Sequence, residues 1–354
     1  MDVFVVEDTG PVDMVQSFQS LIWNMQYYGR SEFEIVVPGT ETNVALLKPG
    51  TMLCRDVDVL PGEMANVMIV KKQEVTFDKE SGWMLKASGA GLNDILSRRV
   101  VWTQTTMNGN VVDAIRKVVT DNATDAAGAA RSLGIDIVSE VELTEKITEA
   151  QCFGQNLAEW IEETAKTADI GWDMSIKAGK KTLRLYRGAN RTRDQLGNDP
   201  VVFSPNYDNL LTARSEDTIE GFVNAALVGG EGEGTSQKSA VVGDTISGLN
   251  RFETYIDGSS VSSNGAIITN AEYLRMLKDY GAEQMKQSQV VKKIEGTVNT
   301  QATFVLGRDY FLGDKVEVDN GRGLHAQARI IELIYSEDEN GTQIVPTFSE
   351  WEVV

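Results

Sequence analysis

Short apolar runs separated by turn residues fill the first hundred positions of the chain. The runs lie at residues 2–7, 20–25, 33–37, 57–60, 67–75 and 83–88. Pro61-Gly62 and Ser81-Gly82 stand between runs, as expected where a strand gives way to a turn. Closely spaced short strands are typical of a small antiparallel barrel or sandwich. The pattern therefore predicts a β-barrel-like domain over residues 1–101, closed by a helical turn near its end.

The hydrophobic period changes after residue 101, where apolar side chains begin to recur at helical spacing. We expect helices at residues 111–119 and 156–168, followed by strands at residues 173–177 and 182–186. Helices and a short antiparallel pair in one segment are typical of an α+β arrangement. Residues 102–199 are therefore predicted to form an α+β domain.

Strand structure restarts in the segment at residues 201–235. A first apolar run, Val201-Val202-Phe203, is broken by Ser204-Pro205, and a second run spans residues 222–228. Short apolar runs bounded by glycines are typical of buried strands. The loop Gly229-Gly230-Glu231-Gly232-Glu233-Gly234 then predicts a mobile hairpin tip. A phosphate-binding loop would need a Lys followed by Ser or Thr, and a calcium site needs more oxygen ligands than two glutamates supply.

The remaining residues combine short strands with one helix. The helix is expected at residues 270–287, with Asn270 as its N-cap and an apolar stripe that faces the core. Strands are expected within residues 241–261 and at residues 290–298, 315–318, 326–336 and 342–351. The chain as a whole therefore predicts an α+β fold with two antiparallel β-barrel-like domains and the α+β domain between them. The second barrel-like domain, residues 200–354, carries a smaller inserted region with the helix at about residues 241–289.

The chain is acidic, with a net charge of −19 over 354 residues. Binding to nucleic-acid phosphates is driven by Lys and Arg, so this balance argues against specific nucleic-acid binding. The same charge would suit the wall of a channel past which DNA slides without sticking, which is a hypothesis. No stretch of about 18 apolar residues occurs, and we therefore expect no membrane span, no secretion signal and folding in a cytoplasm.

Few residues suit covalent or metal chemistry. Cys54 and Cys152 fit no metal or redox spacing and are expected to be reduced, packed thiols. His325 is the single histidine, and we expect a surface or hydrogen-bonded role because catalysis needs partners around it. The sequence predicts no metal site and no cofactor.

Two functional alternatives do not require histidine. A glycosidase needs only two suitably separated carboxylates, and 52 acidic residues offer many pairs. A sugar-binding module would expose aromatic platforms, but tryptophan is more commonly buried, so we expect the tryptophans to lie in the core. These residues are Trp23, Trp83, Trp102, Trp160, Trp172 and Trp351.

Several motifs follow one another in a characteristic order along the chain. They are Ser20-Leu21-Ile22-Trp23 with Tyr27-Tyr28-Gly29, Leu96-Ser97-Arg98-Arg99 with Trp102, Phe203-Ser204-Pro205, Asp208-Asn209-Leu210-Leu211, Asn224-Ala225-Ala226-Leu227-Val228 with the following glycine-rich turn, and Gly307-Arg308-Asp309-Tyr310-Phe311-Leu312-Gly313-Asp314. This series resembles the siphovirus-type baseplate hubs of phage and prophage tails. That family is similar to the hubs of contractile tails and to the N-terminal platform of tail-associated lysins. The likeness covers most of the chain and is weakest at residues 122–150 and 236–264.

The resemblance implies a non-enzymatic structural hub at the virion tail tip, assembled in the bacterial host cytoplasm. It implies two similar barrels per subunit and a ring of three subunits through which DNA passes. The implied partners are further copies of the chain, a distal tail or tube protein, and a spike, fibre or lysin. The alternative is a tail-associated cell-wall hydrolase. Hubs that cleave cell wall resemble this platform with an extra catalytic domain, and we expect no such domain because the chain ends at Val354 soon after the last strand.

The loop from Arg308 to Asp314 is the expected assembly contact. Tyr310 and Phe311 are adjacent, so they face opposite sides in extended backbone. One aromatic ring is then expected in the core, while the other, with Arg308, is available to a partner. The alternative is that both rings pack at the entry to a strand.

Overall fold

A computed structural model of the chain describes residues 1–139, 143–212, 214–263, 265, 267–286, 291–295, 297–299, 304–322, 325–349 and 352–353. This part of the chain contains 24 strands and four α-helices. The predicted α+β class is therefore confirmed, with strands predominating. None of the described helices is both long enough and apolar enough to span a bilayer.

The strands and helices have the following bounds. In the first half of the chain the strands are β1 (Val3–Glu7), β2 (Gly10–Val15), β3 (Ser20–Gln26), β4 (Glu32–Pro38), β5 (Met52–Arg55), β6 (Val59–Leu60), β7 (Glu63–Met64), β8 (Met68–Asp78), β9 (Gly82–Gly91), β10 (Thr105–Asn110), β11 (Ile135–Ser139), β12 (Lys146–Cys152), β13 (Gly171–Lys177) and β14 (Lys180–Tyr186). In the second half they are β15 (Val202–Phe203), β16 (Arg214–Thr218), β17 (Ala225–Gly229), β18 (Ser239–Val242), β19 (Glu253–Asp257), β20 (Val291–Glu295), β21 (Lys315–Asp319), β22 (His325–Asp338), β23 (Gly341–Phe348) and β24 (Glu352–Val353). The helices are α1 (Glu41–Leu46), α2 (Val111–Ala123), α3 (Leu157–Thr167) and α4 (Asn270–Met285).

The largest sheet joins the two ends of the chain. Its fourteen strands include the path β16-β20-β23-β22-β3-β4-β9-β8-β5-β1-β2, with β21 and β24 paired to β22 and β15 paired to β21. Near the middle of the path β3 runs antiparallel to β22, so that Trp23 lies opposite Tyr335. The path stays open at β16 and β2. Within the described residues, therefore, no sheet closes into a barrel, and the two strand-rich regions expected as barrel-like domains share one sheet.

Alternation of buried and outward side chains builds this sheet. On β4 the side chains of Phe33, Ile35 and Val37 are buried, and the residues between them are partly exposed. Leu21 and Trp23 on β3 follow the same period of two, which places both strands on one core. These strands were predicted from the pattern, and the structure confirms them.

A second core lies in the middle of the chain, where α2 and α3 pack beside a five-stranded sheet of order β11-β14-β13-β7-β6. Asn110 and Asn156 cap the two helices, each accepting hydrogen bonds from two backbone N–H groups of the first turn. A short hairpin from the first hundred residues completes the sheet, because Met64 of β7 lies opposite Ile176 of β13. Both predicted helices and both predicted strands of this region are confirmed.

A third, smaller unit is formed by the sheet β18-β17-β19 and helix α4, with Val228, Tyr273 and Leu277 in its core. The glycine-rich loop joins β17 to β18 as a hairpin, as predicted. Its tip is anchored rather than free. Tyr273 Oη accepts a hydrogen bond from Glu231 N at 2.8 Å, and the Glu231 carboxylate accepts one from Ser263 N at 2.7 Å.

Some expectations differ from the structure. Thr269, not Asn270, caps α4: its backbone is extended, and its hydroxyl accepts a hydrogen bond from Glu272 N. Strands β2 and β16 were not predicted, because β2 begins with the turn residues Gly10 and Pro11 and β16 is polar throughout. The expected strand ends at residues 290 and 351 lie outside the described residues.

The two cysteines are buried and unpaired, as predicted. Burial raises the pKa of the Cys54 thiol and of the Cys152 thiol to about 12. The thiolate is the reactive form, so both thiols are poor nucleophiles at neutral pH as well as hidden from reagents.

We expect the native chain to give no reaction with Ellman's reagent at pH 8, and both thiols to react once the chain is unfolded in guanidinium. The exposed control Ser247→Cys should gain one fast-reacting thiol, since Ser247 lies at the surface. Rapid modification of either native cysteine in the folded chain would contradict the packing described here.

Candidate functional site

The five-stranded sheet β11-β14-β13-β7-β6 and helices α2 and α3 together form what we call the middle unit. Segments distant in sequence meet where the large sheet approaches the sheet of the middle unit. The end of β3 leads into Tyr27 and Tyr28, the turn before β13 supplies Asp169, and β22 supplies Arg329. The loop before β21 adds Gly313. We call these five residues the junction cluster.

Arg329 is the buried centre of the junction cluster, with 8% of its surface exposed. Its guanidinium donates hydrogen bonds to both carboxylate oxygens of Asp169, at 2.7 and 2.6 Å, and to the Gly313 carbonyl at 2.6 Å. The Tyr28 hydroxyl donates to the same carboxylate at 2.7 Å. Two parallel charge-assisted bonds are stronger and more directional than one. A single side chain thus fastens β22 to the middle unit and to the loop before β21.

The protonation states at the cluster suit this arrangement. Burial raises the pKa of the Tyr28 phenol, and the neighbouring Asp169 carboxylate raises it further, so the phenol stays protonated and donates. Burial is the largest single effect on Arg329 and lowers its pKa, but the hydrogen bonds to Asp169 and the electrostatic effects of Asp169 and the neighbouring tyrosines together exceed it, so the pKa is raised. The cluster therefore holds one charged pair, Arg329 and Asp169, to which the protonated Tyr28 hydroxyl donates at neutral pH.

The ring of Tyr27 fills the space between the two sheets. It is fully buried and packs edge-on against Tyr28 and Tyr186, with ring centroids 4.9 and 5.4 Å apart. A Cβ at Gly313 would come within 2.4 Å of this ring, and a Cβ at Gly171 within 2.2 Å. Gly313 also has a φ of +93°, which other residues rarely adopt. Glycine is therefore required at both positions for the sheets to approach each other.

Asp314 fixes the loop on the other side of Gly313. Its carboxylate accepts hydrogen bonds from Ala189 N at 2.8 Å, Arg191 Nε at 2.6 Å and Phe311 N at 3.0 Å. The Asp314 side chain is almost completely buried, whereas its partner Arg191 is partly exposed. The loop that contains the predicted assembly residues is thus held rigidly against the segment after β14.

The structure separates the three predicted assembly residues. Tyr310 is 1% exposed and packs edge-on against Phe203, with centroids 5.1 Å apart. Phe311 is 45% exposed, with the Arg191 guanidinium 5.8 Å from its ring centre. Arg308 lies at the surface and forms a salt bridge with Asp309, with its Nη2 atom 2.7 Å from Asp309 Oδ2. One aromatic residue is in the core and its neighbour is at the surface. The contact of Phe311 and Arg308 with a partner stays a prediction.

Other candidate residues are mostly structural. Trp23, Trp160 and Trp172 are buried, as predicted, but Trp83 and Trp102 are 59% and 67% exposed, so the core prediction is wrong for these two. Trp102 instead covers the Arg131 guanidinium, 4.0 Å from its ring centre, and Trp351 lies outside the described residues.

The single histidine lies at the surface of the described part of the chain. His325 is exposed at the start of β22, as predicted, while the glycine and leucine before it lie outside the described residues. No group of three or more His, Cys, Asp or Glu side chains among the described residues is arranged to hold a metal ion.

Sequence reasoning missed Asp169 and Arg329. A signal was present at Arg329, because it is a charged residue within the long apolar run of β22 and a buried guanidinium requires a carboxylate. No local pattern identified Asp169 as the partner, since the two residues are 160 positions apart.

Solved structures share this architecture from end to end. The crystal structure of the tail protein from Neisseria meningitidis MC58 is 14% identical, with a TM-score of 0.61 over 99% of this chain and 95% of that chain. The prophage MuSo2 43 kDa tail protein from Shewanella oneidensis is also 14% identical, with a TM-score of 0.60 over 99% of this chain and 98% of that chain. The prophage tail protein gp18 from Listeria monocytogenes EGD-e is 12% identical, with a TM-score of 0.50 over 98% and 94%. The fold is that of phage and prophage tail proteins.

Sequence comparison gives the family. The model of the Siphovirus ReqiPepy6 Gp37-like protein family matches residues 10–348, and the chain belongs to this family. The resemblance to siphovirus tail proteins drawn from the motifs is therefore confirmed at the level of family and fold. No curated protein sequence matches the chain.

The two partners of the central ion pair should differ in their effect on stability. Asp169→Asn leaves the buried guanidinium of Arg329 without a counter-charge and should cost about 2 kcal/mol of unfolding free energy. Arg329→Met leaves a carboxylate whose side chain is 49% exposed and can be hydrated, so it should cost about 1 kcal/mol. Urea unfolding followed by tryptophan fluorescence measures both values.

The double variant Asp169→Asn/Arg329→Met should be no less stable than Asp169→Asn alone, because the unpaired guanidinium is then gone. The control Asp136→Asn breaks an exposed pair with Lys180 and should change stability by less than about 0.5 kcal/mol. Equal costs for the two single variants, with full additivity in the double, would argue against a coupled pair.

Proposed function

We propose that this protein is the structural hub of a phage or prophage tail tip. Three copies close into a ring in the virion tail, joining the tail tube or distal tail ring above to a spike, fibre or lysin below, after assembly in the host cytoplasm. The single observation that carries the proposal is the family match across residues 10–348 together with a tail-protein fold over 99% of the chain. The hydrogen-bonded, tightly packed junction cluster is consistent with a structural role.

The proposed subunit has two strand-rich regions, residues 1–101 and 200–354, that act as barrel-like halves of the ring and flank the α+β region at 102–199. The large sheet and the middle unit have separate cores, which supports the α+β region as a distinct unit, while the two strand-rich regions share the core of the large sheet. The compact unit of α4 and its sheet has a core of its own, which overlaps the proposed insertion at about residues 241–289 and also includes β17.

A ring of three requires two different surfaces on each copy that fit each other. A self-complementary patch would stop at a dimer, whereas a heterologous contact with threefold rotation closes after three subunits. The loop with Arg308 and Phe311 supplies one such surface in our proposal. The backbone of Phe311 is held by its N–H hydrogen bond to the Asp314 carboxylate, so little backbone freedom is lost on contact.

The proposed role is mechanical rather than enzymatic. In the junction cluster each polar group contacts another protein group, and such a set holds geometry instead of binding a substrate. The tail-associated cell-wall hydrolase remains the competing hypothesis, and a lysis band in a zymogram on bacterial cell wall would support it over the hub.

Stoichiometry tests the ring directly. We expect three copies of the chain per tail particle by quantitative mass spectrometry, and a native mass three times the 38.8 kDa of one chain in any isolated hub complex. Two or six copies per tail would contradict a ring of three of these subunits.

The two adjacent aromatic residues should give opposite phenotypes. Phe311→Ala should lower the melting temperature much less than Tyr310→Ala and should weaken subunit association, because Phe311 is 45% exposed and only partly packed against its own subunit. Tyr310→Ala should instead cost about 3 kcal/mol or more of folding stability, because it removes a buried aromatic ring.

Sedimentation of the hub complex, with thermal melting of each variant, separates these outcomes. Tyr207→Ala is a matched control, since Tyr207 is also an exposed aromatic residue but lies outside the loop. Unchanged association of Phe311→Ala would remove this loop from the proposed interface without affecting the stoichiometry test.

A further inference from the structure

The motif Leu96-Ser97-Arg98-Arg99 with Trp102 takes no part in the junction cluster or in the loop that carries Phe311. After Arg99 the backbone is extended and pairs with residues 154–157. Val100 and Trp102 are exposed there and Val101 between them is buried, so the two outward side chains share one face. The arginine–tryptophan patch is our name for Arg98, Arg99, Val100, Trp102 and Arg131.

Hydrogen bonds hold the patch in a fixed geometry. The Arg131 guanidinium lies 4.0 Å from the centre of the Trp102 ring and donates to the Val100 carbonyl at 2.6 Å. The buried Asn122 Oδ1 accepts from both Arg131 Nη1 and Trp102 N, each at 3.2 Å. Arg99 Nε donates to the Arg131 carbonyl at 2.7 Å. A surface that is already ordered loses little conformational freedom when it binds a partner.

The patch carries positive charge without counter-charges. In the described part of the chain the hydrogen bonds of Arg99 and Arg131 go to neutral groups, and Arg98 forms no salt bridge. Arg187 and Arg191 of the same region, in contrast, each pair with a carboxylate at 2.6 Å. Partial burial and then the like charge of Arg99 lower the pKa of Arg131, and no carboxylate offsets them. The patch is therefore a local positive surface on a chain with a net charge of −19.

The turn between β22 and β23 has the opposite charge. Asp338 and Glu339 are adjacent and exposed at this hairpin tip, and neither forms a salt bridge within the described residues. Asn340 N donates a hydrogen bond to Asp338 Oδ1 at 2.7 Å, which fixes the turn. The tip belongs to the large sheet, whereas the patch lies beside α2 and α3 of the middle unit. One chain thus presents a positive and a negative surface on different units.

We propose that the arginine–tryptophan patch binds the β22–β23 hairpin tip of a second copy of this chain. Copies with a net charge of −19 repel each other, so contact between them requires a local surface of opposite sign. Patch and tip are also different surfaces, as the heterologous contact of a closed ring requires. Tryptophan and arginine are the side chains most enriched at the energetic centres of interfaces. The inference rests on the proposed hub, to which it adds a specific pair of contacting surfaces.

Charge reversal with rescue tests the contact. Arg98→Glu/Arg99→Glu and Asp338→Lys/Glu339→Lys each place like charges opposite one another, so each should weaken association of the full-length chain by at least about tenfold. The four substitutions combined restore opposite signs and should return association to within about threefold of the original. Analytical sedimentation measures association of the isolated chain. Where the isolated chain is monomeric, the same variants are compared by their incorporation into tail particles.

Net charge separates a specific contact from general repulsion. Asp338→Lys/Glu339→Lys makes the chain less negative, so repulsion between copies falls. Weaker association of this variant is therefore expected only if the tip itself makes a contact. The matched control Arg116→Glu/Lys117→Glu reverses two adjacent exposed charges on α2 and should change association by less than about twofold.

A second variant protects the test against misfolding. Arg99 also holds the Arg131 backbone, so thermal melting of Arg98→Glu/Arg99→Glu is measured alongside its association. Trp102→Ala removes an exposed ring and leaves the three arginines in place, and it should weaken association by about tenfold. Association that is unchanged in the tip variant and in Trp102→Ala would overturn the proposal.

The contact and the hub can fail independently. Three copies per tail, without rescue in the folded combined variant, would overturn the contact and still support the hub. Rescue with another copy number would support the contact and contradict the ring of three.

A positive surface with an exposed indole is also suited to single-stranded nucleic acid. Fluorescein-labelled oligothymidine is the probe for that alternative, measured by fluorescence anisotropy at physiological salt. We expect no binding that depends on the patch. Binding that is lost in Arg98→Glu/Arg99→Glu would assign the patch to nucleic acid and overturn the contact between copies.

Discussion

A buried guanidinium requires a carboxylate beside it. In this chain Arg329 of the large sheet is paired with the Asp169 carboxylate of the middle unit. Because the two residues belong to different cores, their pairing fixes where one unit stands relative to the other. The Tyr27 ring and the glycine at position 313 then follow from that spacing, since the ring occupies the remaining gap and leaves no room for a Cβ. Much of the geometry at the centre of the molecule depends on this one contact.

The motifs that carried the family resemblance owe their character to the same place. Tyr27-Tyr28-Gly29 and the loop ending in Gly313-Asp314 are far apart in sequence, but in the fold they face each other across the junction. The tyrosine and glycine residues of these motifs are suited to the close packing between the two sheets, because the Tyr27 ring leaves no room for a Cβ at Gly313. Within the loop, Tyr310 turns inward and Phe311 outward, so a single dipeptide serves both the core and the surface.

Local patterns predicted the elements of the fold better than their arrangement. The alternation on β4 and the capped amphipathic helices α2 and α3 could be predicted because a strand or helix shows its period within about ten residues. The polar strand β16 has no such period. The pairing of β3 with β22 and of Asp169 with Arg329 has no local signal at all, because each depends on residues that only the folded chain brings together. The exposure of Trp102 could not be predicted either, because it stacks on Arg131 at the surface and the composition of the chain does not reveal this contact.

The central position of β22 has a consequence for how the protein is made. Asn24 on β3 donates a hydrogen bond to Glu332 on β22, 308 positions later in the chain. At a synthesis rate of roughly 5 to 20 residues per second, β3 waits about 15 to 60 s on the ribosome before its partner is translated. During that interval β4 can cover one edge of β3, but the other edge remains open to strands of neighbouring nascent chains. Because β22 lies in the last quarter of the chain, the open edge of β3 is protected from aggregation only after that quarter has been translated.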